Sequence, residues 1–144
     1  MSDSNNQCVQ CFGPNGELRL KFGSRGRSPG QLQRPTGVCA LPNGNFAVAD
    51  YENRVVSVFD ATGPKYNLKY NFIGPSKYLD NSNILKQYSL RTFVSFSGKF
   101  VSRIGGGKLL GPKGIAVNPA GNLIVVDNKA SCVYVFQVIM IKHN

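Results

Sequence analysis

The apolar residues of this chain fall in short runs separated by Gly, Pro, Asn and Asp, a pattern that predicts strands and tight turns. Gly37-Val38-Cys39-Ala40-Leu41 reads as a first strand, and Pro42-Asn43-Gly44-Asn45 as a turn in which Gly supplies positive φ. Phe46-Ala47-Val48-Ala49 is a second strand ended by Asp50, and Tyr51-Glu52-Asn53 turns the chain into a third, Val55 to Phe59. The same order returns as Gly114 to Asn118, Leu123 to Val126 and Cys132 to Phe136. Runs such as Leu123-Ile124-Val125-Val126 do not alternate, which predicts strands covered on both faces by neighbouring sheets. A fourth strand is read at Glu17 to Phe22 and again at Lys99 to Ile104. Helical periodicity is weak and confined to residues 77–90.

The strand pattern is an internal repeat. Pro35, Gly37, Gly44, Asp50 and Phe59 recur as Pro112, Gly114, Gly121, Asp127 and Phe136, all at an offset of 77. An upstream partial copy places Asp3, Asn6, Val9, Phe12 and Gly16 ahead of Asp50, Asn53, Val56, Phe59 and Gly63 by 47. Four short strands at a period in the forties describe one blade of a β-propeller. The expected fold is therefore all-β, an incomplete propeller of four-stranded antiparallel blades. WD40 repeats have a similar period, but this chain contains no Trp.

The two offsets differ because of one segment. Removing 64–98 joins Gly63 to Lys99 and lowers the second offset to 42. The segment has no copy elsewhere and is rich in Tyr, Asn and Lys, so it reads as an insertion at a hairpin tip. Loops of this length are either functional or disordered; a recognition loop, a disordered excursion and translated non-coding sequence are the alternatives, with disorder the expectation. The chain then divides into 1–23, a partial blade; 24–63, a repeat; 64–98, the insertion; 99–137, a repeat; and 138–144, an irregular tail.

Charge adds a functional class. The 144 residues carry a net charge of +10, of which 64–98 holds +4. A basic surface suits anionic partners, nucleic acid first. Arg25, Arg27 and Arg34 flank one inter-blade connection; Lys108, Lys113 and Lys129 occupy related loops of the next copy, and Tyr51 is the aromatic among them. These seven are the candidate partner-contacting or RNA-contacting residues. The polar start, Met1 to Asn6, does not read as a signal peptide, and the longest near-apolar run, Val133 to Ile141, is too short to span a bilayer as a helix. The expectation is a cytoplasmic protein that makes no membrane contact.

Motifs with catalytic or metal associations resolve into repeat positions. Cys8-x-x-Cys11 resembles a zinc or redox pair, but Cys8 aligns with Val55 and Cys132, and Cys11 with Val58 and Val135, all strand positions. Gly26-Arg27-Ser28-Pro29-Gly30 fits the spacing of a nucleophile elbow, yet Pro29 lacks the N–H that an oxyanion hole needs. Gly105-Gly106-Gly107-Lys108 lacks the hydroxyl residue and the spacing of a phosphate loop. Asp50 and Asp127 recur as a scaffold carboxylate would, accepting backbone N–H groups at a strand end. Asn53 fits the same role, while Ala130 takes its place in the later copy. No catalytic residue, cofactor or metal is expected, and Gly37, Asp50, Asn53, Phe59, Gly114, Asp127 and Phe136 are read as structural repeat positions.

Pro-x-Gly-Val, a Gly turn, Val-Ala-Asp and Asn-x-x-Val-x-Val-Phe together resemble the NHL repeat. The stretches Phe22 to Val38, Gly107 to Gly114 and Val125 to Cys132 resemble the C-terminal NHL domain of tripartite-motif proteins. That resemblance implies a six-bladed propeller attached to a RING finger, B-box, coiled coil and filamin-type domain in a RING-type E3 ubiquitin ligase. It implies a propeller that recognises a protein partner or ubiquitination substrate or, alternatively, single-stranded RNA. The chain departs from the family in lacking a RING or B-box cysteine–histidine array, in holding parts of about three blades, and in carrying the insertion.

Overall fold

The computed structural model of the chain describes residues 1–60, 67–75, 87–88 and 98–141. Among these residues all regular structure is β, arranged as three consecutive antiparallel sheets. The first sheet pairs Ser2–Asp3, Cys8–Phe12 and Leu18–Phe22 in that order. The second runs Pro35–Ala40, Phe46–Asp50, Val55–Phe59, Phe100–Ile104 from one edge to the other. The third runs Pro112–Val117, Leu123–Asp127, Cys132–Ile141, Asn67–Pro75, Gln87–Tyr88. A short parallel pair, Ser24–Arg25 with Gln31–Leu32, folds the first inter-sheet connection onto itself.

The sheets pack face to face through two apolar cores. Val9 and Phe22 of the first sheet meet Val48 and Phe59 of the second; the Phe22 and Phe59 rings lie 4.7 Å apart. On its other face the second sheet presents Ala47, Val56, Val58 and Ile104 to Leu123, Val125 and Phe136 of the third. Each interface receives one leucine from the connection that enters the later sheet: Leu32 in the first core and Leu109 in the second, both buried. The inner strands also approach closely, since a Cβ on Gly37 would lie 2.8 Å from the Lys113 carbonyl oxygen. A side chain at this position would force the two sheets apart.

Val55–Phe59, in the middle sheet, is buried along its whole length between the two neighbouring sheets. Leu123–Asp127 departs from the expectation, drawn from its non-alternating run, of a strand covered on both faces. Leu123 and Val125 are buried, Ile124 is half-buried and Val126 is exposed, because among the described residues no sheet covers the far side of the third. The architecture is an incomplete β-propeller of three blades.

Two segment boundaries also change. Cys132–Ile141 continues as strand through the first four residues assigned to the irregular tail. Its outer edge is occupied by Asn67–Pro75, with Tyr134 opposite Pro75 and Ile141 opposite Asn67. So two pieces of the 64–98 segment, Asn67–Pro75 and Gln87–Tyr88, are strands and not loop; the remainder of that expectation lies outside the described residues, as does most of the weak helical signal at 77–90. The hairpin-tip position of the segment is visible in its flanks. Asp60 N–H donates to the Lys99 carbonyl at 2.8 Å, and Gly98 N–H donates to the Asp60 carbonyl at 2.6 Å.

Candidate interaction face

One end of the three sheets gathers the turns that come after each second strand and the connections that enter each first strand. The recurring aspartates build this end. Asp50 is buried, and its carboxylate accepts N–H groups from Gln33 and Arg34, each at 2.9 Å, and the Asn53 side-chain amide at 2.7 Å. Asp127 repeats this with Leu110 N–H at 2.7 Å and Gly111 and Ala130 N–H at 2.9 Å. Asp3 accepts the Asn6 backbone and side-chain N–H groups at 3.0 and 2.8 Å, and these bonds, the side-chain one foremost, hold its carboxyl below the usual carboxylate range. Each carboxylate satisfies backbone donors that a chain reversal would otherwise leave unpaired. Asp50 and Asp127 thereby clamp the incoming connection as well as the outgoing turn. Asn53 extends the clamp by donating to the Gly26 carbonyl at 3.0 Å.

The clamps position an open groove of about 610 Å³ that runs across all three blades. Ser4 and Asn5 come from the first blade, Gln33, Arg34, Thr36 and Glu52 from the second, and Lys113 from the third. Two contacts hold its walls together. Ser4 donates its hydroxyl to the Pro35 carbonyl, and the Thr36 hydroxyl lies 3.0 Å from the Lys113 carbonyl oxygen. Arg34 Nη1 sits 3.7 Å from Glu52 Oε1, an exposed pair of little energetic weight.

Of the seven sequence-predicted contact residues, the structure brings four together. The Arg34 guanidinium lies 5.1 Å from the Tyr51 ring centre, the Lys129 ammonium lies 4.7 Å from the same ring, and Lys113 lines the groove beside Arg34. Both ring distances fall within cation–π range. Arg25 and Arg27 stand apart on the folded connection, where the Arg27 carbonyl accepts from Arg103 Nη2 at 2.7 Å. Lys108 lies in the corresponding connection of the third blade, and its carbonyl accepts from the Tyr134 hydroxyl at 3.3 Å. Burial pushes that phenol up to about 12, with Cys132 adding to the shift.

Ser4, Asn5, Gln33, Thr36 and Glu52 line the groove without having been singled out in the sequence. Glu52 sits beside Tyr51 in the turn, and Gln33 and Thr36 flank Arg34, so proximity to the basic candidates was the available signal. Leu32 and Leu109 were also missed, although they sit 77 apart, each three residues before the repeated Pro. No cluster of three or more His, Cys, Asp or Glu side chains is gathered among the described residues, and no described helix is long and apolar enough to cross a membrane. His143 lies outside the described residues.

A family model of the NHL repeat matches residues 32–59 and 109–136, two windows offset by the same 77 positions as the internal repeat. The chain is 37% identical over 81 residues to the RING finger protein nhl-1 of Caenorhabditis elegans, a match covering 56% of this chain and 8% of that protein. It is 26% identical over 132 residues to the B-box type zinc finger protein ncl-1 of the same organism, covering 82% of this chain and 16% of the relative. It is 25% identical over 132 residues to the Drosophila melanogaster protein brain tumor, covering 81% and 12%. The chain thus spans less than a fifth of the length of these curated relatives. With the blade geometry, these matches make residues 32–59 and 109–136 similar to the NHL repeat, each window lying over one blade of the propeller.

Proposed function

We propose that this chain is the protein-recognition module of a RING-type ubiquitin ligase of the tripartite-motif class, nearest to tripartite motif-containing proteins two and three. On this reading the groove and its rim select a protein that is then ubiquitinated and degraded in the cytoplasm. The ubiquitin-transfer chemistry belongs to a RING outside these residues, and the chain itself performs no catalysis.

The observation that carries the proposal is the groove spanning three blades. It offers Arg34, Lys113, Glu52 and Asn5, side chains of mixed charge, on backbone fixed by buried carboxylate clamps. Mixed charge on a rigid scaffold suits a protein surface. The likeness to a relative named for its RING finger and another named for its B-box zinc finger supports the ligase context.

Affinity purification from cytoplasm with the chain and with an Asn5→Ala, Arg34→Ala, Lys113→Ala variant tests this. Specific partners should be lost in the variant yet withstand ribonuclease and high salt, and should become ubiquitinated when the chain is fused to a RING. Retention of every partner by the variant would refute the groove as the recognition site.

The second reading, binding of single-stranded RNA in post-transcriptional regulation, draws on the basic rim of Arg34, Lys113 and Lys129. It requires aromatic rings for base stacking. Tyr51 already carries two cations on its ring, which favours the protein reading. Salt-dependent RNA affinity abolished by joint Arg25, Arg27, Lys108 and Lys113→Ala substitution would favour RNA.

A further inference from the structure

The connection between the first and second sheets is longer than the repeat requires. Phe22 and Ile104 end equivalent fourth strands, opposite Val9 and Val56, and Leu32 and Leu109 are the leucines that follow them into the two cores. Four residues separate Ile104 from Leu109, whereas nine separate Phe22 from Leu32. The added length carries Arg25-Gly26-Arg27-Ser28-Pro29, part of the stretch whose spacing fits a nucleophile elbow and whose Pro29 rules that chemistry out. None of these five residues lines the groove.

The backbone around Ser28 is fixed while its hydroxyl is not. The Ser28 carbonyl accepts the Gln31 N–H at 2.9 Å across Pro29 and Gly30, and Gly30 has φ of 82°, the geometry of a type II turn with Pro at its second position. The Ser28 N–H donates to Gln31 Oε1 at 3.1 Å. Arg103 reaches across from the second sheet, and its Nη2 donates to the carbonyls of Arg27 and Ser28, each at 2.7 Å. Arg103 Nε is buried and has no hydrogen-bond partner among the described residues. Arg25, Arg27 and Ser28 are exposed. Among the described residues no hydrogen bond engages the Ser28 hydroxyl. Residues 23–33 contain no Asp or Glu, and Ser28 is the only Ser or Thr of the chain that is followed by Pro.

We propose that Ser28 is a phosphorylation site, read by a protein kinase that takes Arg three residues before the acceptor and Pro immediately after it. In the transfer the Ser28 Oγ attacks the γ-phosphorus of a nucleoside triphosphate. The Oγ–P bond forms, the bond from that phosphorus to the β–γ bridging oxygen breaks, the nucleoside diphosphate leaves, and the hydroxyl proton passes to a base of the kinase. Arg25 and Arg27 supply cations three and one residues before the acceptor, a charge pattern that an acidic substrate cleft selects. Pro29 brings no N–H that the cleft would have to satisfy. The product carries about −1.5 to −2 charge at neutral pH and three acceptor oxygens. It forms beside Arg103, whose guanidinium already holds the Ser28 carbonyl and keeps Nε unpartnered. Charge-assisted hydrogen bonds from these arginines then fasten the connection to the second sheet. The same charge nearly cancels that of Arg25 and Arg27, so modification removes one basic cluster from the end of the sheets where the groove opens. The site stands whether the groove takes protein or RNA.

Two measurements on the full chain test the proposal. The chain is incubated with radiolabelled ATP and a purified proline-directed kinase that selects Arg at the third upstream position. Label should map to Ser28 by mass spectrometry, vanish in Ser28→Ala and fall at least about tenfold in Arg25→Ala. Labelling of Ser28 only after the chain is unfolded, or of other residues with Ser28 untouched, would overturn it. The second measurement is a phosphorus NMR titration of the Ser28→phosphoserine chain. Its second pKa should lie about one unit below the ordinary value of about 6, and should return toward that value in Arg103→Ala. Should Arg103→Ala fail to fold, Arg25→Ala with Arg27→Ala makes the same comparison on exposed side chains. A second pKa at the ordinary value, or one that neither substitution moves, would show a phosphate that meets no arginine and would overturn the site.

Discussion

Asp60 and Gly98 are joined by a backbone hydrogen bond of 2.6 Å although residues 61–97 lie between them. The first blade closes the same hairpin without an intervening segment, Gly13 N–H donating to the Glu17 carbonyl at 2.8 Å. Gly16 and Gly98 hold equivalent places in the two turns, with φ of 81° and 79°, a region that favours glycine. Deleting 64–98 puts Gly63 at that place and gives the second blade a turn of the same length as the first. We expect the deletion variant to keep slow amide exchange in Val55–Asp60 and Phe100–Ile104, and to lose it along the outer edge of Cys132–Ile141. Fast exchange throughout the second blade would show that the segment is integral to its folding.

The aspartate clamps predict a graded series. Asp50→Ala leaves the Gln33 and Arg34 amides and the Asn53 side chain without their acceptor, and should cost about 3 kcal/mol in urea denaturation. Ala130 occupies the place where Asn53 and Asn6 each donate a side-chain N–H to their aspartate. Ala130→Asn should therefore add a bond to Asp127 and stabilise the third blade by about 1 kcal/mol. A neutral Asp50→Ala variant would contradict the clamp.

The leucines that enter each core predict a packing effect. Leu109→Ala removes a buried side chain shared by the second and third blades and should cost about 2–5 kcal/mol, with Leu32→Ala similar at the first interface. Because the two cores are separate, the double variant should be close to additive. Thermal or urea unfolding measures both.

Burial pushes the Cys39 thiol from 9.0 up to about 11. The folded protein holds this proton more tightly than the unfolded chain, so the contribution of Cys39 to stability is intact below pH 9 and is lost as pH rises toward 11. Alkylation of Cys39 at pH 9 should be much slower in the native protein than in denaturant, and Cys39→Ala should flatten the alkaline fall in stability. Equal alkylation rates in the two states would contradict the burial.

Much of this architecture was legible because repetition turns single residues into positions. Asp50 read as a strand-end scaffold residue once Asp127 repeated it, and Val55–Phe59 read as the third strand of a blade once Cys132–Phe136 repeated it. Relations between distant segments could not be read. The Gln33 and Arg34 donors lie 17 and 16 residues upstream of Asp50, in a connection with no pairing pattern of its own. The partner of Cys132–Ile141 lies in a segment without a copy, although Leu68, Tyr70 and Phe72 alternate with polar residues as a strand does. Exposure of Val126 depends on whether another sheet covers the third, which local sequence does not encode. At the rim, Arg34, Tyr51, Lys113 and Lys129 were legible as candidates; the stacking of two cations on one ring was not, because it crosses from one blade to the next.

Face-to-face stacking of successive blades is the claim on which the groove and its clamped walls depend. The inner strands offer its most direct test, since a Cβ on Gly37 would lie 3.2 Å from Ile115 Cγ2 across the blade boundary. Nuclear Overhauser spectroscopy on the methyl-labelled chain should show a strong cross-peak between the Gly37 Hα protons and the Ile115 γ2 methyl. Absence of that cross-peak in a folded sample would contradict the stack.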